Sequence, residues 1–140
     1  VADLERKTLV LEVCALDRAP SRLDVTEVTA PGVKGVFVVL PGHAPLLSNL
    51  DIAPLSAVLP DGGTVNFALN GGVIQVMDDR VLVLSKTVEG EKDIDADRAR
   101  RARERAEERI KKHEDGMDVY RAEVALKRAL TRLRVVDKQV

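Results

Sequence analysis

The sequence predicts an α+β chain: an N-terminal antiparallel β-sandwich followed by a C-terminal antiparallel α-helical hairpin. Short apolar runs punctuated by Gly, Pro, Asn and Asp fill the first part, the pattern of strands and tight turns. All six prolines and seven of the nine glycines fall before residue 88. Beyond it 28 of 52 positions are charged, and small apolar residues recur at helical spacing. The abrupt change assigns residues 1–88 to the sandwich and 89–140 to the hairpin.

The strands follow in order. In Thr8–Ala15, Leu9, Leu11 and Val13 share one face, with Val10, Glu12 and Cys14 on the other. Leu23–Ala30 alternates again and ends at Pro31-Gly32. Val36–Leu40 is an unbroken apolar run, which predicts a strand covered on both faces. Leu55–Leu59 runs through Asp61-Gly62-Gly63 into Thr64–Asn70, where Val65, Phe67 and Leu69 face one side. Asn70-Gly71-Gly72 follows, another turn of the kind that supplies the positive φ of tight hairpins. Val73–Met77, the turn Asp78-Asp79-Arg80, and Val81–Leu84 form a last hairpin. Strands this short and evenly spaced close into a sandwich or barrel.

The helices are equally marked. Asp93 or Asp95 caps the first, whose stripe is Ala99, Ala102, Ala106 and Ile110, with Lys111, Lys112 and His113 at its end. Glu114–Met117 is the link, and Asp118 caps a second helix with the stripe Ala122, Leu126, Ala129 and Leu133, flanked by Ala125 and Val136. So short a link makes the helices antiparallel neighbours. Their seam is mostly alanine. Each methyl adds about 0.8 kcal/mol of burial, so five or six give roughly 4–5 kcal/mol. Such a hairpin either stays docked or exchanges its packing for another partner.

Composition excludes several classes. The net charge is −1, and Phe37, Phe67 and Tyr120 are the only aromatics, a poor surface for nucleic acid. No apolar run approaches the roughly 20 residues of a membrane helix, so no direct membrane insertion is expected. Cys14 is alone and reads as a packed thiol. His43 has neither a second His nor a Cys nearby, so no metal or catalytic set forms around it.

Three segments carry a resemblance. Leu40-Pro41-Gly42-His43-Ala44-Pro45-Leu46-Leu47 resembles the Pro-Gly-His-Ala-Pro-Leu-Leu segment of F-type ATP synthase epsilon subunits. Asn70–Val76 is similar to the Gly-Gly hairpin of that family, and Arg121–Ala129 through Leu133-Arg134-Val135 resembles its second helix. The resemblance implies a non-catalytic central-stalk subunit, turning with the rotor and helping to couple proton or sodium flow to ATP synthesis. Its partners would be the gamma subunit, the c-ring and, when the helices extend, the alpha/beta catalytic head, where they block ATP hydrolysis. The implied place is peripheral, on the cytoplasmic side of a bacterial inner membrane. It also implies a c-ring contact through Gly35, Val36 and His43, although Val36 stands where an acidic residue is frequent and Val38 where glycine is usual.

No cofactor is required, but some members bind regulatory ATP through Ile/Leu-Asp-x-x-Arg-Ala, which Ile94–Ala99 matches. The resemblance extends the ligand set to Glu89, Asp95, Arg98, Arg105, Arg128 and Arg132. At about 100° per residue, Arg98 and Arg105 form a flank stripe on the first helix and Arg128 and Arg132 one on the second. Antiparallel pairing, with His113 level with Asp118, sets Arg98 against Arg132 and Arg105 against Arg128. Guanidinium forks suit phosphate oxygens. Alternatively Asp97, Glu104 and Glu108 pair with these arginines as solvated salt bridges. Two other readings are a β-domain with a polyanion-binding helical hairpin and a small hydrolase or metal enzyme. The first lacks stacking aromatics, the second convergent His, Cys or carboxylate groups.

Overall fold

The computed structural model describes residues 7–112 and 118–138. Ten strands lead: β1 (Leu9–Ala15), β2 (Arg18–Val25), β3 (Glu27–Gly32), β4 (Gly35–Val39), β5 (Leu46–Leu50), β6 (Pro54–Val58), β7 (Thr64–Leu69), β8 (Gly72–Met77), β9 (Arg80–Ser85) and β10 (Val88–Gly90). A 3-10 turn, Glu91–Asp93, leads to α1 (Ala96–Lys112) and α2 (Val119–Val136). The link Glu114–Met117 and His113, with its predicted pairing to Asp118, lie outside the described residues.

The strands run in the order β10-β7-β6-β3-β5-β8-β9-β1-β2, with β4 on the other side of β3. Between β3 and β5 only Gly32 and Leu50 pair, and there the sheet doubles over into two leaves. One core joins them, from Leu9, Leu11 and Val13 of β1 through Ile74 and Val76 of β8 to Val88 of β10. All its members come from the β half, so the sandwich is closed without the helices. Pairing is antiparallel except between β1 and β9, where Val10–Ala15 runs parallel to Arg80–Ser85. On the outer side of β1, partial burial and then the charge of Glu12 raise the Cys14 thiol above its ordinary pKa, keeping it protonated at neutral pH.

The structure corrects the sequence reading in four places. Leu23–Ala30 is not one strand: the chain breaks at Thr26, and the buried side chains change phase from Val25 to Val28. Pro31 and Gly32 continue β3, and the turn is Val33-Lys34. Val36–Leu40 is not covered on both faces. The run alternates: Val39 and, in part, Phe37 face the core, while Val36, Val38 and Leu40 on the other face remain 72%, 45% and 51% exposed. Asn70-Gly71-Gly72 makes no hairpin, since β7 pairs with β6 and β10 while β8 pairs with β5 and β9. It crosses between leaves. By contrast, Asp78 and Asp79, at φ 50° and 57°, form the two-residue hairpin turn between β8 and β9.

Each helix is capped by a predicted aspartate. Arg98 N donates to Asp95 Oδ1 at 3.0 Å, and Arg121 N to Asp118 Oδ1 at 3.1 Å. Asp93 instead accepts from Gly90 N at 3.1 Å and from Arg18 Nη1 at 3.2 Å, fastening the approach to α1 onto β2. α1 packs on α2, and α2 on β6 and β7. α2 is therefore the middle layer. Of its predicted stripe Ala122, Ala129 and Leu133 are buried and Leu126 is half-buried, and α1 buries Ala99 and Ala106 with Ala102 and Ile110 half-buried. On the side of α2 toward the sheet, Thr131 Oγ1 donates to Lys127 O at 2.7 Å and lies 3.3 Å from Ile52 O.

The face of β7 beneath α2 has a defect. Asn66 is 5% exposed, and its Oδ1 is buried without a hydrogen-bond partner among the described residues. An unpaired buried acceptor costs about 1–3 kcal/mol. Asn66→Leu, close in shape, is expected to tighten the seat of α2 by about 1 kcal/mol. Slower amide hydrogen exchange across Val119–Val136 is the measurement; faster exchange there contradicts it.

Candidate functional site

Three parts of the fold converge beside the hairpin. Glu89 belongs to the sheet: it lies in β10, opposite Ala68 of β7. The last strand thus runs two residues past the boundary read at residue 88, and its charged residue faces out toward the helices. Asp95 and Arg98 sit at the start of α1 and Arg105 two turns on. Arg128 and Arg132 lie one turn apart on α2, about 6 Å along its axis.

Glu89, Asp95, Arg98, Arg105 and Arg132 line one cleft of about 470 Å³, together with Asp93, Ala99 and Ala102. Arg132 donates from Nε and Nη2 to Glu89 Oε1, at 2.8 and 2.6 Å. Arg128 is not in this cleft. It lines a narrow crevice beside it with Asn70, Glu89 and Arg132, and its Nε donates to Asn70 Oδ1 at 2.9 Å. Three guanidinium groups therefore face the cleft, rather than the four that helix geometry alone suggests. The fourth is drawn aside because the sheet supplies an acceptor that a two-helix wheel does not contain.

The solvated-salt-bridge alternative is not what forms. Asp97 pairs with Arg100 at 2.9 Å and Glu108 with Lys112 at 3.0 Å, both away from the cleft arginines. Arg98 and Arg105 make no side-chain ion pair with any described residue. The carboxylates of the cleft are already engaged: Glu89 by Arg132, Asp93 by Arg18 and Gly90 N, Asp95 by the α1 cap. Arg98, in the first turn of α1, and Arg105, two turns on, thus face a polar cleft without a side-chain ion pair among the described residues, in company with the Asp95 carboxylate, and the helix dipole favours negative charge at the Arg98 end.

The other predicted site residues lie elsewhere. Gly35, at φ 137°, and Val36 open β4, whereas His43 follows its far end. His43 Nδ1 lies 2.6 Å from Ala44 O, and Gly42 N donates to Asp79 Oδ1 at 2.7 Å, fixing that loop to the β8–β9 turn. Strand β4 separates the two ends. Among the described residues no group of three or more His, Cys, Asp or Glu could hold a metal, and no helix is long and apolar enough to cross a membrane. Sequence reasoning missed Asn70, legible only as a turn residue, because its partner is 58 positions away.

Comparison with known proteins places this architecture. The β-sandwich domain of the ATP synthase delta/epsilon chain matches residues 8–91, and the long α-helix domain of the same chain matches residues 92–137. The chain belongs to the ATP synthase delta/epsilon family. Its relatives include the ATP synthase epsilon chain of Moorella thermoacetica, 38% identical over 127 residues, 91% of this chain and 95% of that one. The epsilon chain of Nitratidesulfovibrio vulgaris is 43% identical over 129 residues, covering 92% and 96%. In fold, the chain resembles one in the Euglena gracilis mitochondrial ATP synthase assembly of OSCP, F1 and c-ring, with TM-score 0.78 at 19% identity over 94% of this chain and 81% of that one. A chain in the central stalk and c-ring of Tetrahymena thermophila mitochondrial ATP synthase gives TM-score 0.55 at 16% identity, covering 95% and 96%. The epsilon resemblance of three short segments extends to the whole architecture of this family member.

Proposed function

We propose that this epsilon-family chain is a non-catalytic rotor subunit of an F-type ATP synthase whose docked hairpin senses ATP. The sandwich couples ion flow to synthesis by fixing the subunit to gamma and the c-ring, on the cytoplasmic side of a bacterial inner membrane. Three surfaces support a division of labour. The hairpin covers β6 and β7. The edge strand β4, with Val36, Val38 and Leu40 exposed, suits the c-ring, with Gly35 at its start and His43 beyond its end. The outer side of β5, β8 and β9, exposing Leu47, Met77 and Leu84, is left for gamma. When the hairpin leaves the sandwich, it reaches the catalytic head and restrains hydrolysis.

The observation that carries the ATP reading is the pair Arg98 and Arg105, which make no side-chain ion pair with any described residue, on a cleft walled by both helices and the sheet. A triphosphate seated there touches α1, α2 and β10 together, so it favours the docked hairpin over the released one by its differential affinity. Glu89, Asp95, Arg98, Arg105 and Arg132 form the cleft's share of the ligand set, and Arg128 adjoins it. The bound ATP is a signal, not a substrate, since the cleft offers no phosphate-gripping Gly-rich loop.

Calorimetric titration of the chain with ATP tests this. Arg98→Ala and Arg105→Ala are each expected to weaken binding at least about tenfold, the loss of a charge-assisted phosphate contact. ATP affinity unchanged in both variants overturns the pocket.

A further inference from the structure

The two α2 arginines beside the cleft are each held by an acceptor on the sheet, and one of those acceptors has no role in the ligand set. Glu89 holds Arg132, and Asn70 holds Arg128. Asn70 and Glu89 are diagonal neighbours on one face of the β7–β10 edge, since Glu89 stands opposite Ala68 and Asn70 N reaches Thr87 O at 3.3 Å. Diagonal neighbours on a sheet lie about 7–8 Å apart, close to the roughly 6 Å rise between Arg128 and Arg132. The sheet therefore presents two acceptors at nearly the spacing of two arginines one helical turn apart.

Asn70 is itself rigidly placed. Its backbone N donates to Ser85 Oγ at 3.2 Å, and that hydroxyl lies 2.6 Å from Gly71 O and 3.1 Å from Thr87 O. Ser85 is 7% exposed, so this hub is shielded from water. A guanidinium has five N–H donors. Asn70 takes only the Nε of Arg128, which leaves both terminal nitrogens for an anion beside Arg132.

We propose that Asn70 is a positioning residue for the anion site: it orients the Arg128 guanidinium from the sandwich side, so that Arg128 contributes to anion binding only while α2 is docked. The inference rests on the ATP reading above and deepens it. It makes the crossover between the two leaves the element that tells Arg128 whether the hairpin is seated. A fixed acceptor removes side-chain freedom that ligand binding otherwise has to remove, which is the source of the gain.

The experiment is a double-mutant cycle for ATP binding, by calorimetry on the full chain, with Asn70→Ala, Arg128→Ala and the combination. Circular dichroism verifies that each is folded. Asn70→Ala alone is expected to weaken ATP about tenfold, in line with losing one hydrogen bond to a charged group. In the Arg128→Ala background it is expected to add less than about twofold, because contacting residues that act through one another are not additive. A merely structural Asn70 weakens binding equally in both backgrounds, and that result overturns the proposal. So does affinity that is unchanged or tighter in Asn70→Ala, which would make Asn70 a competitor for Arg128. If the wild-type chain takes up no ATP, the nucleotide reading falls and this one with it. If ATP binds but ignores Asn70→Ala, only this one falls.

Discussion

Gly72→Ala is expected to lower the stability of the sandwich by about 3 kcal/mol or more, read as the shift in its urea unfolding midpoint. Gly72 opens β8 at φ 135°, a conformation that L side chains rarely adopt. A Cβ built there stands 2.0 Å from Leu84 O and 3.0 Å from both Leu84 C and Ser85 Cα. All three are backbone or Cα atoms, so no rotamer change relieves the overlap. Leu84 cannot easily retreat either, because β9 pairs with β8 on one side and β1 on the other. The backbone strain alone is worth about 1–3 kcal/mol, and the contact adds to it. Gly62→Ala is the control. It also has positive φ, 90°, but a Cβ there meets nothing within 4 Å, so about 1 kcal/mol is expected. Equal midpoint shifts in the two variants would show that the close approach to Leu84 is unimportant.

The same glycine shows what the sequence makes legible. Asn70-Gly71-Gly72 announces positive φ, and Gly71 and Gly72 do adopt 72° and 135°. What it does not announce is where the chain goes next. A hairpin and a crossover between leaves need similar turn residues, and the choice is made by distant strands: β10 claims the edge of β7, and β5 claims that of β8. Val36–Leu40 failed for a related reason. An unbroken apolar run reads as doubly covered, yet here only the face of Phe37 and Val39 is covered while the other is exposed surface, and no local signal separates the two cases. Leu46–Leu50 was missed as a strand because its polar pair, Ser48-Asn49, interrupts the alternation on the way to buried Leu50. The helices were legible down to their caps, since capping and the alanine stripe are local properties. The family resemblance implied all six ligand side chains, and helix arithmetic added only that the four arginines share one edge of the hairpin. The acceptors that sort those arginines, Glu89 and Asn70, come from the sheet, which is why Arg128 was expected in the cleft and stands beside it.

Val135→Asp is expected to release the hairpin while leaving the sandwich folded. Val135 is fully buried on α2, and at 100° per residue it lies 40° from Thr131, the residue over Ile52, so it faces the sheet. Leu133 lies 200° from Thr131, toward α1. The apolar surface on the sheet-facing side of α2 is thus chiefly Val135 and the half-buried Val124, and the remaining ties are polar. Lys127–Asp51 and Arg132–Glu89 span 3.3 and 2.6 Å with partly exposed side chains, and pairs of that kind contribute about 0–1 kcal/mol each. Burying an unpaired carboxylate costs several kcal/mol, beyond the roughly 1.5–3 kcal/mol of valine burial that is lost. The sum exceeds what the polar ties return, so the docked state gives way. Among the described residues the core of the sandwich contains no helical one, and its urea midpoint should therefore stay near that of the wild type. Amide hydrogen exchange across Val119–Val136 should accelerate, and trypsin should cut the arginine-rich helices first. Wild-type exchange in α2 would mean that the hairpin is held by more than this thin face. Loss of the sandwich together with the hairpin would mean that the two halves fold as one.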